Sequence, residues 1–256
     1  MKKLALLGHK LTHSISNVIH NARFSELKLD ANYVIDDVEL DLLDNRLHQY
    51  DGVNVTIPYK QSVIKYLDSL SEEAKAIGAV NTVANCNGKL FGYNTDIVGL
   101  KYVADKIGAD LSGRVLILGY GGVAQTAIHL ALLRKGDVYV ATRKEGEQSK
   151  NVKFIDYNTA NKLSCDVVIN CTPVGMFPNV NATPIDNLNC NCCIDLIYNP
   201  LKTRLLEIAE SKGIKCIGGI DMLVVQALES EKIWFSVDYN DNDVERMVKY
   251  SSKGIK

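Results

Sequence analysis

Nothing in these 256 residues is apolar for long enough to cross a bilayer. The opening, MKKLALLGHK, starts like a secretion signal, with two lysines ahead of apolar residues. Its apolar run covers only Leu4 to Leu7, and His9 and Lys10 follow, so a first strand is expected instead. Charge of one sign is also missing: 29 lysines and arginines face 30 aspartates and glutamates, a formal net charge of −1. No basic excess points to nucleic acid, and no charge run points to a membrane surface. Repeats and low-complexity segments are absent. Cysteine occurs seven times but without a metal-binding arrangement. Cys190, Cys192 and Cys193 cluster in NCNCCIDLIY, with no second pair at ligand spacing. Several thiols lie in apolar runs such as VVINC, and are expected to be small buried hydrophobes of a cytoplasmic protein. What remains is ordinary globular composition, 46% hydrophobic and 23% charged, in a chain long enough for one large domain or two small ones.

Strand-like and helix-like segments alternate along the chain. KLALLG, ANYVIDDV and GVNVTI read as strands, separated by helical stretches over 16–28 and 41–50. Residues 59–67 and 72–77 read as helical, NTVANCNGKLFGYN as a hairpin turning at Asn87-Gly88, and 96–107 as a helix. After the polar link GADLSG the pattern restarts with short, wholly apolar runs: RVLILG, DVYVATR, DVVINCTP, NCCIDLIY and KCIGG. Such runs suit strands buried on both faces. From Gly219 the chain is expected to be helical, and the longer loops fall around Gly146 and over 178–189. The class is α/β with mainly parallel sheet.

VLILGYGGVAQTAIHLALLRKG carries the clearest local chemistry. Val115 to Leu118 form a strand. Gly119 makes a tight turn, Gly121 lets backbone approach a pyrophosphate, and Ala124 allows close helix–strand packing. The helix that follows offers free N–H groups and its positive dipole end to phosphate. With DVYVATRK as the second strand at the proper distance, the loop predicts dinucleotide binding. Beyond that strand stand Thr142, Arg143 and Lys144 where NAD sites usually hold a carboxylate, and cations there favour the 2′-phosphate of NADP.

The first hundred residues place polar groups just past strand-like runs: Ser14 and Ser16 before a helix, Thr56 and Lys60 in NVTIPYK, Asn81 in GAVNT, Asn94 and Asp96 in GYNTD. Ligands of open α/β sheets gather at such carboxyl ends. A helix cap explains one of the two serines. In NVTIPYK, Val53, Val55 and Ile57 are expected on a core face, Asn54 to brace the turn, and Pro58 to start the helix presenting Lys60. His13 and His20 are expected to be structural.

HSISNVIHN, NVTIPYK, AIGAVNT, GYNTD, GYGGVA, NCTPVGM, DLIYNPLKTRLL and GGIDMLVVQA occur in the order seen in shikimate dehydrogenases, and together they make nearly the whole chain resemble that family. The resemblance implies NADP-dependent interconversion of shikimate and 3-dehydroshikimate, on the route to chorismate and the aromatic amino acids. It implies two domains: residues 1–100 with 219–256 for substrate, and 101–218 as a Rossmann-type NADP domain, with C-terminal helices returning to the first. By this resemblance Lys60 and Asp96 are the catalytic pair, and Ser14, Ser16, Thr56, Asn81, Tyr198 and Gln226 contact shikimate. Gly119, Tyr120, Gly121, Gly122, Val123, Thr142, Arg143 and Lys144 hold NADP, with Glu72, Leu196 and Gly219 along the nicotinamide side. Three departures stand out. Thr142-Arg143-Lys144 replaces the family's frequent Asn-Arg-Thr, Asn17 replaces a proline, and Ile220-Asp221 replaces Leu-Gly. A quinate dehydrogenase with relaxed cofactor use and a non-catalytic dinucleotide sensor are the alternatives; retention of Lys60 and Asp96 argues against the sensor. A monomer or homodimer is expected, with no nucleic-acid or membrane partner.

Overall fold

The computed structural model describes residues 1–11, 14–143 and 151–255. The chain divides into two compact units: Met1–Val98 with Val224–Gly254, and Gly99–Leu223 with Ile255–Lys256.

The first unit contains β1 (Lys2–Gly8), α1 (Ser16–Glu26), β2 (Ala31–Asp37), α2 (Leu43–Leu47) and β3 (Gly52–Val55). It continues with β4 (Ser69–Leu70), α3 (Glu72–Ile77), β5 (Thr82–Cys86) and β6 (Lys89–Tyr93). Its sheet has the order β2-β1-β3-β5-β6-β4. β1 pairs in parallel with β2 and β3, whereas β5 runs antiparallel to β3 and β6. The β5–β6 hairpin turns at Asn87 and Gly88, both with positive φ, as the Asn-Gly pair predicts. One sheet face packs Ala5, Leu7, Val53, Val55, Leu43 and Val63; the other packs Leu4, Leu6, Phe24, Tyr33 and Trp234. Gly52 is required at that second face, because a Cβ would lie 2.4 Å from the Trp234 Nε1 atom.

α4 (Asp96–Ile107) carries the chain into the second unit, which contains β7 (Arg114–Leu118), α5 (Gly122–Leu133), β8 (Asp137–Ala141), β9 (Val152–Ile155) and α6 (Tyr157–Ala160). β10 (Val167–Asn170), β11 (Cys192–Asp195), α7 (Arg204–Ser211) and β12 (Lys215–Ile217) follow. Its sheet is wholly parallel, in the order β12-β11-β10-β7-β8-β9. Counted within the unit this is 3-2-1-4-5-6, the doubly wound order, which reverses between β7 and β10. Val115 to Leu118 and Val167 to Ile169 are buried on both faces, as their apolar runs predict. α8 (Ile220–Phe235) returns the chain to the first unit, and α9 (Asp241–Ser252) follows.

Several expectations are corrected. β3 ends at Val55, and Ile57, expected in the core, is 72% exposed because the chain has already turned. Pro58 starts no α-helix: Lys60 lies in a turn, and only a 3-10 helix over Ser62–Tyr66 follows. The segment is held short, since Asp68 N–H already donates to Leu90 O at the start of the next strand. Asp41 to Tyr50 is likewise split into a 3-10 turn, Leu40–Leu42, and the five-residue α2. The edge strand β9 follows the region around Gly146, which lies outside the described residues. The C-terminal region is helical as expected, in two helices parted at Ser236, where φ is positive.

Candidate active site

In the first unit the chemistry gathers where β3, β5 and β6 meet the start of α4. Lys60 Nζ donates to Asp96 Oδ2 at 2.6 Å, and both side chains are largely buried. Asp96 opens α4, so its carboxylate lies at the positive end of that helix. Its other oxygen, Oδ1, accepts Asn81 Nδ2 at 3.0 Å. The Asn81 amide is fixed from both ends. Its Oδ1 accepts Thr95 N–H at 2.6 Å, while Nδ2 also lies 2.9 Å from Thr95 Oγ1 and 3.3 Å from Gln226 Oε1 on α8. Lys60, Asp96, Asn81 and Gln226 therefore form one hydrogen-bonded cluster, with the ammonium as its cation. The lysine is oriented before any ligand arrives.

Thr56 leaves β3 at the same end of the sheet. Its backbone is spent on Leu7 and Tyr59, and its hydroxyl has no hydrogen-bond partner among the described residues. α1 follows β1, so Ser14 and Ser16 also stand at this carboxyl end. Neither serine is the N-cap residue: that position is Ile15, which makes no side-chain cap. Ser14 Oγ instead accepts Ser16 N–H at 3.2 Å and donates to Ser16 Oγ at 3.1 Å. His13 lies outside the described residues.

Composition gave no warning of the hydroxyl layer beneath the cluster. Thr82, Thr95 and Ser230 are almost wholly buried, with their oxygens 2.9 to 3.3 Å apart. The signal was present as a repeated dipeptide: Asn81-Thr82 and Asn94-Thr95 flank β5 and β6, and the two threonines meet. Asn94 serves the helix start, its Oδ1 accepting Ile97 N–H.

In the second unit the glycine loop lies at the switch point. Gly119 has φ +97, a left-handed conformation that suits glycine, and a Cβ there would press within 2.9 Å of Thr172 at the end of β10. Gly121 is the N-cap of α5 and contributes no side chain; a Cβ there would meet nothing within 4 Å. Gly122 and Val123 form the first turn of α5, Ala124 is fully buried, and the exposed Tyr120 ring meets Phe154 edge-on at 5.1 Å. Open space ahead of unpaired helix N–H groups fits a pyrophosphate. Thr142 and the exposed Arg143 follow β8 directly, and Lys144 lies outside the described residues.

Leu196 and Gly219 are brought together: Gly219 N–H donates to Ile197 O, and a Gly219 Cβ would collide with Leu196 O. Tyr198 follows β11, and burial pushes its hydroxyl pKa up. Glu72 joins none of these groups. Its side chain is 89% exposed on the first turn of α3 and pairs with Lys75. Asp195 is a turn former, accepting Asn170 Nδ2, Ile197 N–H and Thr203 Oγ1. The Asp221 carboxylate is held by Lys106 of α4 within the same unit. A depression of about 500 Å³ near Arg114, Asp137 and Asp166 lies at the amino ends of the strands, the end ligands of such sheets do not use. Among the described residues no group of three or more His, Cys, Asp or Glu is arranged to hold a metal ion.

Comparison with known proteins gives a consistent result. A family model described as the shikimate dehydrogenase substrate binding domain matches residues 6–83. A shikimate dehydrogenase (NADP(+)) of Clostridium beijerinckii is 40% identical over 250 residues, 91% of this chain and 92% of the relative. The crystal structure of shikimate dehydrogenase 1 from Peptoclostridium difficile matches with a TM-score of 0.92 and 35% identity, covering 100% of both chains. Shikimate 5-dehydrogenase of Thermus thermophilus in complex with NADP(H) and shikimate matches with a TM-score of 0.86 and 30% identity, over 98% of this chain and 100% of the other.

Proposed function

The chain belongs to the shikimate dehydrogenase family, and on that premise we propose that it reversibly reduces 3-dehydroshikimate to shikimate with NADPH, as an oxidoreductase of the shikimate pathway. The observation that carries the chemistry is the Lys60–Asp96 pair, 2.6 Å apart and anchored by Asn81. When bound, NADP supplies the hydride acceptor or donor. The protein has to manage the proton and the charge that develops on the substrate oxygen. A lysine is cationic at neutral pH. In the reducing direction Lys60 polarises the ketone and gives its proton to the oxygen, and in the oxidising direction it takes that proton back. Asp96 holds the ammonium in place and balances its charge.

Residues 1–98 with 224–254 are the substrate unit in this reading. Ser14, Ser16 and Thr56 offer hydroxyls, and Asn81 and Gln226 offer amides, a donor and acceptor set suited to a polyhydroxy carboxylate. In the second unit Gly119 to Val123 hold the pyrophosphate, and Arg143 holds the 2′-phosphate, with Thr142 beside it. Tyr198, Leu196 and Gly219 serve the reacting end of the ligands.

Nicotinamide absorbance followed with shikimate or quinate, and with NADP or NAD, tests this directly. Turnover is expected with shikimate and NADP, and much less with either alternative. Equal kcat/KM for NAD and NADP would sink the cofactor assignment, and equal kcat/KM for quinate the substrate assignment.

A further inference from the structure

His20 and Glu231 are the most deeply buried ionisable pair in the first unit, at 0% and 1% exposure, and the chemistry above does not use them. Resting on the reading that Lys60 and Asp96 carry the proton, we propose that the His20–Glu231 pair is a positioning device for them, acting through the amide of Asn54. The amide's orientation is forced. Asn54 Nδ2 lies 3.2 Å from the Asn81 carbonyl oxygen, which can only accept, and 3.0 and 2.9 Å from the Thr82 and Ser230 hydroxyls. Asn54 Oδ1 must therefore face the other way, toward the Tyr33 hydroxyl at 2.7 Å and His20 Nε2 at 3.2 Å, and both must donate to it. Nε2 of His20 carries a proton.

The other ring nitrogen, Nδ1, lies 2.7 Å from Glu231 Oε1, a distance that requires a proton between them. A neutral ring with its only proton on Nδ1, the tautomer a carboxylate alone would select, puts a bare Nε2 against Asn54 Oδ1. The amide rejects that tautomer. The pair thus holds two protons, as imidazolium with carboxylate or as neutral ring with carboxylic acid, and is uncharged overall. Burial, which pushes the Glu231 carboxyl up, and Arg23 Nε, 3.9 Å from Oε2, act on this balance from two sides. The remaining charged groups, Glu26 and Asp243, are engaged by the Arg23 guanidinium. The ring cannot swing away, because it stacks on Tyr33 at 4.2 Å and lies 5.5 Å from Trp234.

From Asn54 the order passes on in two steps. Asn54 stands opposite Thr82 across β3 and β5 and fixes both the Asn81 carbonyl and the Thr82 hydroxyl. Ser230, the third group on its amide, donates to the Gln226 carbonyl. Asn81, whose Nδ2 also lies 3.3 Å from Gln226 Oε1, is the residue on which Asp96, and so Lys60, is oriented.

The test compares His20→Leu with His20→Gln, whose Nε2 can keep the donor to Asn54. The leucine variant should lose about tenfold or more in kcat for shikimate, with NADP affinity unchanged, while glutamine recovers to within about threefold of the native value. A merely structural role lowers thermal stability in both variants and leaves kcat per folded molecule alone. A leucine variant within about twofold of native kcat overturns the proposal. Should that variant fail to fold, the native protein still decides. Histidine ¹⁵N NMR at neutral pH should show one slowly exchanging Nε2–H, and a His20 ring protonated only on Nδ1 refutes the inference. If the native protein turns over no shikimate at all, the functional reading fails by itself, and the imidazole signal still reports the tautomer.

Discussion

The two units handle polarity in opposite ways. In the first, the carboxyl end of the sheet is filled with side chains that bind one another: Lys60, Asp96, Asn81, Thr95 and Gln226 are joined by bonds of 2.6 to 3.3 Å. In the second, the buried polar side chains at the strand ends, Asn170 of β10 and Asp195 of β11, are spent on each other and on the turns that follow, and in the proposed reading recognition is left to backbone N–H groups, to glycines at 119 and 121, and to one exposed arginine. The contrast fits the ligands that the proposed function gives each unit. A small polyhydroxy acid has to be read atom by atom, which needs preoriented side chains. A pyrophosphate needs charge complementarity and close approach, which a helix end provides without side chains. Truncations within the Lys60–Asp96–Asn81 cluster should therefore act on turnover, and those around the glycine loop and Arg143 on dinucleotide affinity.

The largest effect expected is at the proposed catalytic pair. Lys60→Met or Asp96→Asn should lower kcat by about 10²–10⁴, the range for a positioned acid–base group, with far smaller change in KM for shikimate. Near-native kcat in the lysine variant would remove Lys60 from the chemistry and reduce the first unit to a binding surface. Next comes Arg143→Ala. A lost hydrogen bond to a charged group costs about 1.5–3 kcal/mol, so NADP should bind roughly 10–100-fold more weakly, with NAD binding unmoved. Titration calorimetry of both dinucleotides checks this, and an equal loss for each would make the effect one of folding.

How much of this contrast was legible in the sequence also differs between the units. The glycine loop is local: its strand, turn and helix lie within one stretch, so the tight turn at Gly119 and the close packing of Ala124 could be read in advance. The polar strand ends of the first unit were visible, but their arrangement was not. Alternation along Val53-Asn54-Val55 correctly sets Asn54 apart from the two valines, yet it cannot show that its face is covered by Ser230 and Trp234. Those residues lie far along the chain and arrive only when α8 packs on the sheet. Asn54, expected to brace a turn, instead organises the buried network. Ile57 fails for a related reason: a period of two holds only while the strand lasts, and β3 stops at Val55. The edge strand β9 was missed because VKFI is short and carries a lysine in its middle.

Ser14→Ala gives a smaller and more diagnostic effect. Loss of a substrate hydrogen bond should raise KM for shikimate roughly fivefold, about 1 kcal/mol, and leave kcat nearly unchanged. Ser14 Oγ also accepts the Ser16 N–H, so a purely local role predicts a fall in Tm with native KM. Measuring both separates the two.

The smallest effect concerns the thiols, which divide between the units as the polar groups do. Cys86 lies exposed in the first unit, and the other six cysteines lie in the second. Burial pushes Cys165 up to about 12 and Cys190 up to about 11, and holds Cys193 well above the ordinary thiol range. The thiolate is the species that alkylates, and at pH 8 Cys165 is about one part in ten thousand thiolate. Iodoacetamide at pH 8 should modify Cys86 first, with Cys165, Cys190 and Cys193 protected in the native state, as peptide mapping would show. The same burial sets an alkaline limit. Between about 9 and about 12 the folded chain keeps a Cys165 proton that the unfolded chain releases. The folded state then binds more protons, so stability falls as pH rises through that window and is unaffected below it. Cys165→Ala should make that alkaline fall in Tm shallower. Labelling of Cys190 at the rate of Cys86 would mean that this half-buried thiol is not shielded in the folded chain, and the burial argument for the second unit's cysteines would fail.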